Sequence, residues 1–299
     1  TVNQYAIPEL GPMQVQDIGL QDVLRVLQPI WTERTVTAVK VRERLEKVLA
    51  YATVQGHRTG DNPARWRGNL DMILPAPGKV SGAENYPALQ LDDVAGWWTD
   101  LQRRDGMGAK ALAFQALTAT RSGAIRFATW GEIDLETRVW TIQPGRQASK
   151  IPASEKAKRI PLTDSMVALL ESLPRLASSD LVFWAPRGGA LSDATLAKVM
   201  RVIHEASLKA GRKGYVDAAT GEHAVPHGLR SAFRTWVAER TEFDGDLAEV
   251  ALFHKVGNKV AQAYNRADQV EKRRHMMAAW GNFLAGKEPV KVFKLEARA

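Results

Sequence analysis

The 299-residue chain carries 41 Lys and Arg against 33 Asp and Glu, a net charge of +8 that draws polyanions in a salt-dependent way. At 45% hydrophobic residues it has the composition of an ordinary globular protein, long enough for two domains with their own cores. It has no cysteine, which removes disulfides and thiolate chemistry; no apolar run is long enough to span a membrane and no signal peptide is visible, so no membrane partner is expected.

Hydrophobic spacing predicts a helix over 17–27 and a longer one over 35–54. In the second, Ala38, Val41, Leu45, Val48 and Ala52 recur at spacings of three and four. Lys40, Arg42, Arg44 and Lys47, beside Glu43 and Glu46, read as a solvated charged face, with phosphate contact as the alternative. Residues 1–74 thus form a small helical domain. The Pro- and Gly-rich run from Leu74 to Gly82 breaks periodicity, so 75–86 reads as a linker. Helices are predicted over 92–102 and 108–119, with Arg121 just beyond the second. The runs 133–135 and 139–142 flank a polar turn as a hairpin, and a third strand covers 159–162. Helices over 164–173, 192–210, 227–240, 246–254, 259–267 and 269–284 follow, with Ser192 or Asp193 as an N-cap. The expected fold is mainly α with a small antiparallel β-sheet, an α+β domain over 87–286, and then a basic tail over 287–299. No internal repeat and no low-complexity tract is found.

Four segments stand out in order. They are Ala119-Thr120-Arg121-Ser122-Gly123, then Val225-Pro226-His227-Gly228-Leu229-Arg230, then Ala248-Glu249-Val250-Ala251-Leu252-Phe253-His254, then Val260-Ala261-Gln262-Ala263-Tyr264. Taken singly, each residue has an ordinary explanation: Arg121 as a surface arginine at a helix end, Tyr264 as an amphipathic core tyrosine, His227 and Arg230 as a solvated pair one helical turn apart. Of the five tyrosines, only Tyr264 follows both His227 and His254. The remaining histidines, His57, His204, His223 and His275, read as structural or surface groups.

In order and in local sequence this set resembles the catalytic signature of the tyrosine recombinases, closest to the integrases of prophages and genomic islands. The resemblance runs from the helical domain, with Asp61-Asn62-Pro63-Ala64-Arg65-Trp66-Arg67, to Trp280. It implies a core-binding domain followed by a catalytic domain, and cleavage and rejoining of DNA through a 3′-phosphotyrosyl link that integrates or excises a mobile element. Arg121 and Arg230 would clamp the oxygens of the attacked phosphodiester, since planar guanidiniums match that geometry. Tyr264, protonated at neutral pH, would be activated with help from His227 and His254. A hairpin lysine would protonate the leaving 5′ oxygen; Lys150 is favoured, Lys156 second, and Lys158 reads as an edge charge. No metal and no cofactor are implied. The partners implied are double-stranded DNA at attachment sites and further copies of the chain in a tetramer on that DNA. An excision factor and a DNA-bending host protein fit this picture but are not legible in these residues. The implied location is the bacterial cytoplasm, nucleoid-associated when bound.

Two alternatives accompany this reading: a type IB topoisomerase-like DNA-relaxing enzyme and a catalytically silent DNA-binding regulator. The second is prompted by Ala124, which stands where the family usually places an acidic residue to brace the first arginine. In the integrase subgroup an arm-binding domain normally precedes this region. None is visible and the chain starts at Thr1, so the expectation is a processed protein or a fragment lacking an N-terminal module. The tail, with Val290, Val292, Phe293 and Leu295, is expected to dock on a neighbouring protomer, with packing on its own domain or fraying as the alternatives.

Overall fold

A computed structural model describes residues 1–80, 86–146, 151–254 and 268–287 of the chain. The backbone divides into two compact units, Thr1–Glu84 and Asn85–Ala299.

The first unit is helical. Two single turns, α1 (Val2–Tyr5) and α2 (Ile7–Leu10), precede α3 (Leu20–Trp31) and α4 (Thr35–Val54). Helix α3 starts at Leu20, later than its hydrophobic pattern predicts, because Gly19 enters extended and its N–H is taken by the Asp22 carboxylate at 3.0 Å. It runs through Pro29 to Trp31; a proline in the last turn forfeits one hydrogen bond without ending the helix. Helix α4 has the predicted bounds, but its buried stripe is Ala38, Val41, Leu45, Leu49 and Ala52. Val48, expected inside, is 58% exposed, because a 3.6-residue turn carries it to the margin and brings Leu49 inward. Arg42, expected on the charged face, is buried. It bonds Glu46 and the carbonyl of Ala64 (3.2 Å) and lies over the Trp66 ring. Trp66 stacks on Trp31, whose indole N–H reaches the Pro75 carbonyl at 2.9 Å. Part of the predicted linker therefore packs on this unit, including a single turn, α5 (Pro77–Val80).

The second unit is built around α7 (Met107–Thr118), buried on all sides from Ala111 to Thr118. Around it pack α6 (Val94–Gln102), α8 (Ser122–Arg126), α9 (Asp164–Glu171), α10 (Ala194–Lys209) and α13 (Val270–Leu284). The sheet is antiparallel in the order β1 (Ile133–Asp134), β2 (Val139–Ile142), β3 (Lys158–Pro161), with Trp140 opposite both Ile133 and Ile160. Its alternation places Trp140, Ile142 and Ile160 in the core. Helix α13 packs on β3, and its Trp280 donates to the Ala116 carbonyl at 2.7 Å. Of two further helices, α11 (Gly228–Arg240) carries Arg230 with His227 just before its start, and α12 (Gly245–Ala251) ends three residues before His254. Among the described residues no helix is long and apolar enough to cross a membrane. The predicted helix over 259–267 and the tail beyond Lys287 lie outside the described residues.

Candidate active site

The site begins where α7 stops. Ala119 turns left-handed (φ 50°), ending the helix, and Thr120 is buried against Thr118, their hydroxyls 2.9 Å apart. The chain then re-enters helix α8 with Arg121 at its start. Gln115, on α7, donates to the carbonyls of both Thr120 and Pro226, each at 3.2 Å. This one amide ties the Arg121 turn to the His227 turn, although they lie over a hundred residues apart in sequence. Sequence reading missed it, since a glutamine in a helix announces nothing about two remote carbonyls.

Arg230, 4% exposed, sits in the first turn of α11. Its Nη1 donates to the Ala119 carbonyl at 2.6 Å and its Nη2 to the Leu252 carbonyl at 2.7 Å. The same Nη2 lies 3.2 Å from Nε2 of His254. Nδ1 of His254 is 2.6 Å from the Glu249 carboxylate. An arginine can only donate and a carboxylate only accept, so Nδ1 carries the proton towards Glu249 and Nε2 accepts from Arg230. Burial pushes the Glu249 carboxyl up, but hydrogen bonds from His254 and Arg234 outweigh it, and the group stays below the usual carboxylate range. Glu249 is a second residue whose role sequence reading missed; its position five residues before His254, near one helical turn and a half, was the available signal.

Arg121 is partly buried, and its guanidinium makes no hydrogen bond and no ion pair with the described residues. Burial lowers its proton affinity. Arg230 is lowered to about 10, by burial first and by the charge of Arg121 second, against a smaller opposing effect of Glu249. Two guanidiniums are therefore held close enough to repel. The acidic brace that the resemblance leads one to expect is absent: Ala124 is buried, and its carbonyl accepts from Arg146 at 2.9 Å. Arg146 in turn pairs with Glu132 at 3.0 Å.

His227 is exposed at the entrance of α11, its ring centroid 4.4 Å from that of Tyr86. Arg121, His227, Arg230 and His254 thus gather at the junction of α7, α8, α11 and α12. Lys150 and Tyr264 lie outside the described residues. Of the other hairpin lysines, Lys156 is exposed, while Lys158 opens β3 and pairs with Glu155 at 3.4 Å. Tyr215 is buried, donates its hydroxyl to Asp100 at 2.6 Å, and is pushed up to about 12 by burial and by that carboxylate.

Residues 1–69 match the phage integrase central domain, and residues 103–271 match the phage integrase family. The prophage integrase IntS of Escherichia coli (strain K12) is 29% identical over 283 residues, which cover 93% of this chain and 66% of the relative. The integrase of Shigella phage Sf6 is similar to the same extent, 29% over 283 residues with 93% and 66% covered. The chain thus spans a little under two thirds of the length of these relatives, 66% of each. Among solved structures, a lambda integrase dimer (residues 75–356) bound to a COC′ core site aligns with a TM-score of 0.57 at 16% identity, covering 85% of both chains. The Tn1549 transposon integrase in complex with transposon right-end DNA aligns at 0.59 and 14% identity, covering 90% of this chain and 87% of that one. At such identities the two structures speak for the fold. The family match over residues 103–271 takes in more than half of the sequence, and the chain belongs to the phage integrase family of tyrosine recombinases.

Proposed function

We propose that the chain is the core-binding and catalytic part of a site-specific DNA recombinase that integrates or excises a mobile element. The observation that carries this reading is the arginine pair. The Arg121 guanidinium has no partner among the described residues, and Arg230 is held by carbonyl oxygens, which carry no full charge to neutralise it. Two mutually repelling guanidiniums at a partly buried site are relieved by an anion, and a phosphodiester presents two oxygens for them.

On this reading Tyr264 attacks phosphorus, a phosphorus–tyrosine oxygen bond forms, and the bond to the 5′ oxygen breaks. The tyrosine proton passes to a neighbouring base, for which His227 and His254 are the candidates, and Lys150 protonates the departing 5′ oxygen. A 5′ hydroxyl of the partner strand then reverses the steps. One ester bond replaces another, so no ATP is consumed.

Residues 1–74 would act as the core-binding domain, 75–86 as the linker, 87–286 as the catalytic domain and 287–299 as the tail. The exposed side of α4, with Val36, Lys40, Arg44, Lys47 and Tyr51, supports a DNA-facing role for the first domain. Tetramer assembly on DNA draws support from lambda integrase, which was crystallised as a dimer on a core site and as a tetramer on a Holliday junction. An excision factor and a DNA-bending host protein would act on that assembly, in the bacterial cytoplasm. The topoisomerase-like and silent-regulator readings are not favoured, since the curated relatives named above are integrases.

The test is covalent trapping on nicked duplexes taken from the ends of the element that carries the gene. Tyr264→Phe should bind DNA yet give no SDS-resistant complex, and the wild-type adduct should form in EDTA. An adduct in Tyr264→Phe, or one mapping to another tyrosine, refutes the assignment.

A further inference from the structure

The segment that opens the second unit crosses directly over the start of α11. The Pro87 carbonyl accepts from the Val225 N–H at 3.1 Å, and the Ala88 N–H donates to the Asp217 carboxylate at 2.7 Å. Asp217 is itself fixed by the N–H groups of Ala219 (2.8 Å) and Thr220 (3.0 Å), and Leu89 is buried in the core. The crossing is so close that a Cβ built on Gly228 would lie 2.0 Å from the Pro87 oxygen. Residues 86–89 therefore form a strap whose backbone is pinned at Pro87 and Ala88, close against the His227 turn.

The strap delivers one side chain to the site. The Tyr86 ring lies 4.4 Å from the His227 ring, centroid to centroid, tilted by 49°. Both residues are exposed, Tyr86 at 59%, so the contact removes little apolar surface from water and core packing does not account for it. What it does is limit the orientations open to the imidazole, because one side of the His227 ring is occupied by a ring whose neighbours in the chain, Pro87 and Ala88, are pinned.

We propose that Tyr86 is a positioning residue for His227, its ring holding the imidazole in the orientation used during strand cleavage. The inference rests on the functional reading above and adds a residue outside the Arg, His-x-x-Arg, His, Tyr order. The aromatic ring is the operative part, so phenylalanine should replace it. Ring contacts of this kind correspond to about a three- to tenfold effect on a rate.

The experiment is single-turnover cleavage of the nicked duplex by the full chain, with DNA affinity and thermal midpoint measured alongside. Tyr86→Phe should cleave within about twofold of wild type. Tyr86→Ala should be about three- to tenfold slower, with affinity and midpoint unchanged. The His227 ring-proton NMR signals should move in Tyr86→Ala and stay in place in Tyr86→Phe. In a His227→Ala background the Tyr86→Ala effect should vanish, the mark of a residue acting through its neighbour. Wild-type cleavage by Tyr86→Ala, unmoved His227 signals, or a loss that persists without His227 overturns the proposal. Loss of the covalent adduct in Tyr86→Phe overturns it too, since the hydroxyl would then be the reacting group. His227→Ala cleaving at the wild-type rate would instead remove the functional reading of His227, and the proposal with it.

Discussion

Replacing Gly228 with alanine sets two rules against each other, and the strap decides the sign. Gly228 is the first residue of α11 and does not adopt a left-handed conformation. At such a position alanine ordinarily stabilises a helix by about 0.5–1 kcal/mol. Here the new methyl would stand 2.0 Å from the Pro87 oxygen and 2.8 Å from the Ala88 Cα, both backbone atoms that no rotamer change can move. An unstrained contact needs about 3.5 Å, so the strap must withdraw by roughly 1.5 Å. That withdrawal breaks the Val225–Pro87 and Ala88–Asp217 hydrogen bonds, at about 1 kcal/mol each, and strains the packing by about 1–3 kcal/mol. Set against the helix gain, the net loss is about 2–4 kcal/mol, or about 5–15 °C in the midpoint of a domain this size. Thermal unfolding followed by tryptophan fluorescence reads the second unit through Trp236 and Trp280, which pack 5.2 Å apart. A midpoint equal to or above wild type would show that the strap does not hold α11 as described.

Three further outcomes follow from the site. Lys150→Ala should slow cleavage of a normal phosphodiester by about a hundred- to ten-thousandfold but barely affect a 5′-bridging phosphorothiolate, whose leaving group needs no proton; equal slowing on both substrates refutes the role, and selective rescue of Lys156→Ala instead moves it to Lys156. Glu249→Gln should leave DNA binding intact yet slow cleavage, because a neutral amide holds the Nδ1 proton of His254 less firmly than a carboxylate does; unchanged single-turnover rates would show that Glu249 does not support His254. Tyr215, raised to about 12, keeps its proton in the fold above the pH at which an unfolded tyrosine ionises, so its contribution to stability is complete below pH 10 and is lost as pH rises towards 12. In Tyr215→Phe that alkaline loss should be smaller than in wild type, as measured by urea unfolding across pH 9–11.5, and an identical slope in both proteins would disprove it.

Most helices of the second unit were legible because burial repeats with the period of the backbone. Helix α4 and strand β2 have the very bounds that their patterns predict. The single turns α1, α2 and α8 are too short to show a period, and none of them was predicted. Arg42 shows a different limit: its charge placed it on the solvated face, whereas the Glu46 carboxylate, the Ala64 carbonyl and the Trp66 ring make its burial tolerable. At the site, the chemically marked residues Arg121, His227, Arg230 and His254 could be named because their order has few other meanings. Gln115, Glu249 and Tyr86 could not, because each acts through geometry that joins segments remote in sequence or separated by a turn.

The grip on Arg230 has a consequence for how this site can vary. Its two anchors are the main-chain oxygens of Ala119 and Leu252, and each anchor adjoins a left-handed residue, Ala119 itself at φ 50° and Phe253 at φ 58°. A carbonyl is present whatever the side chain, so no single codon change deletes an anchor, as it would a bracing carboxylate. Heritable error is displaced onto the course of the backbone. β-branched residues at 119 or 253, chemically inert towards DNA, would pull the turns out of the left-handed region and act as lesions of the proposed phosphate clamp. A survey of spontaneous inactive variants should therefore gather such residues at positions 119 and 253, beside Arg121 and His254 rather than on them.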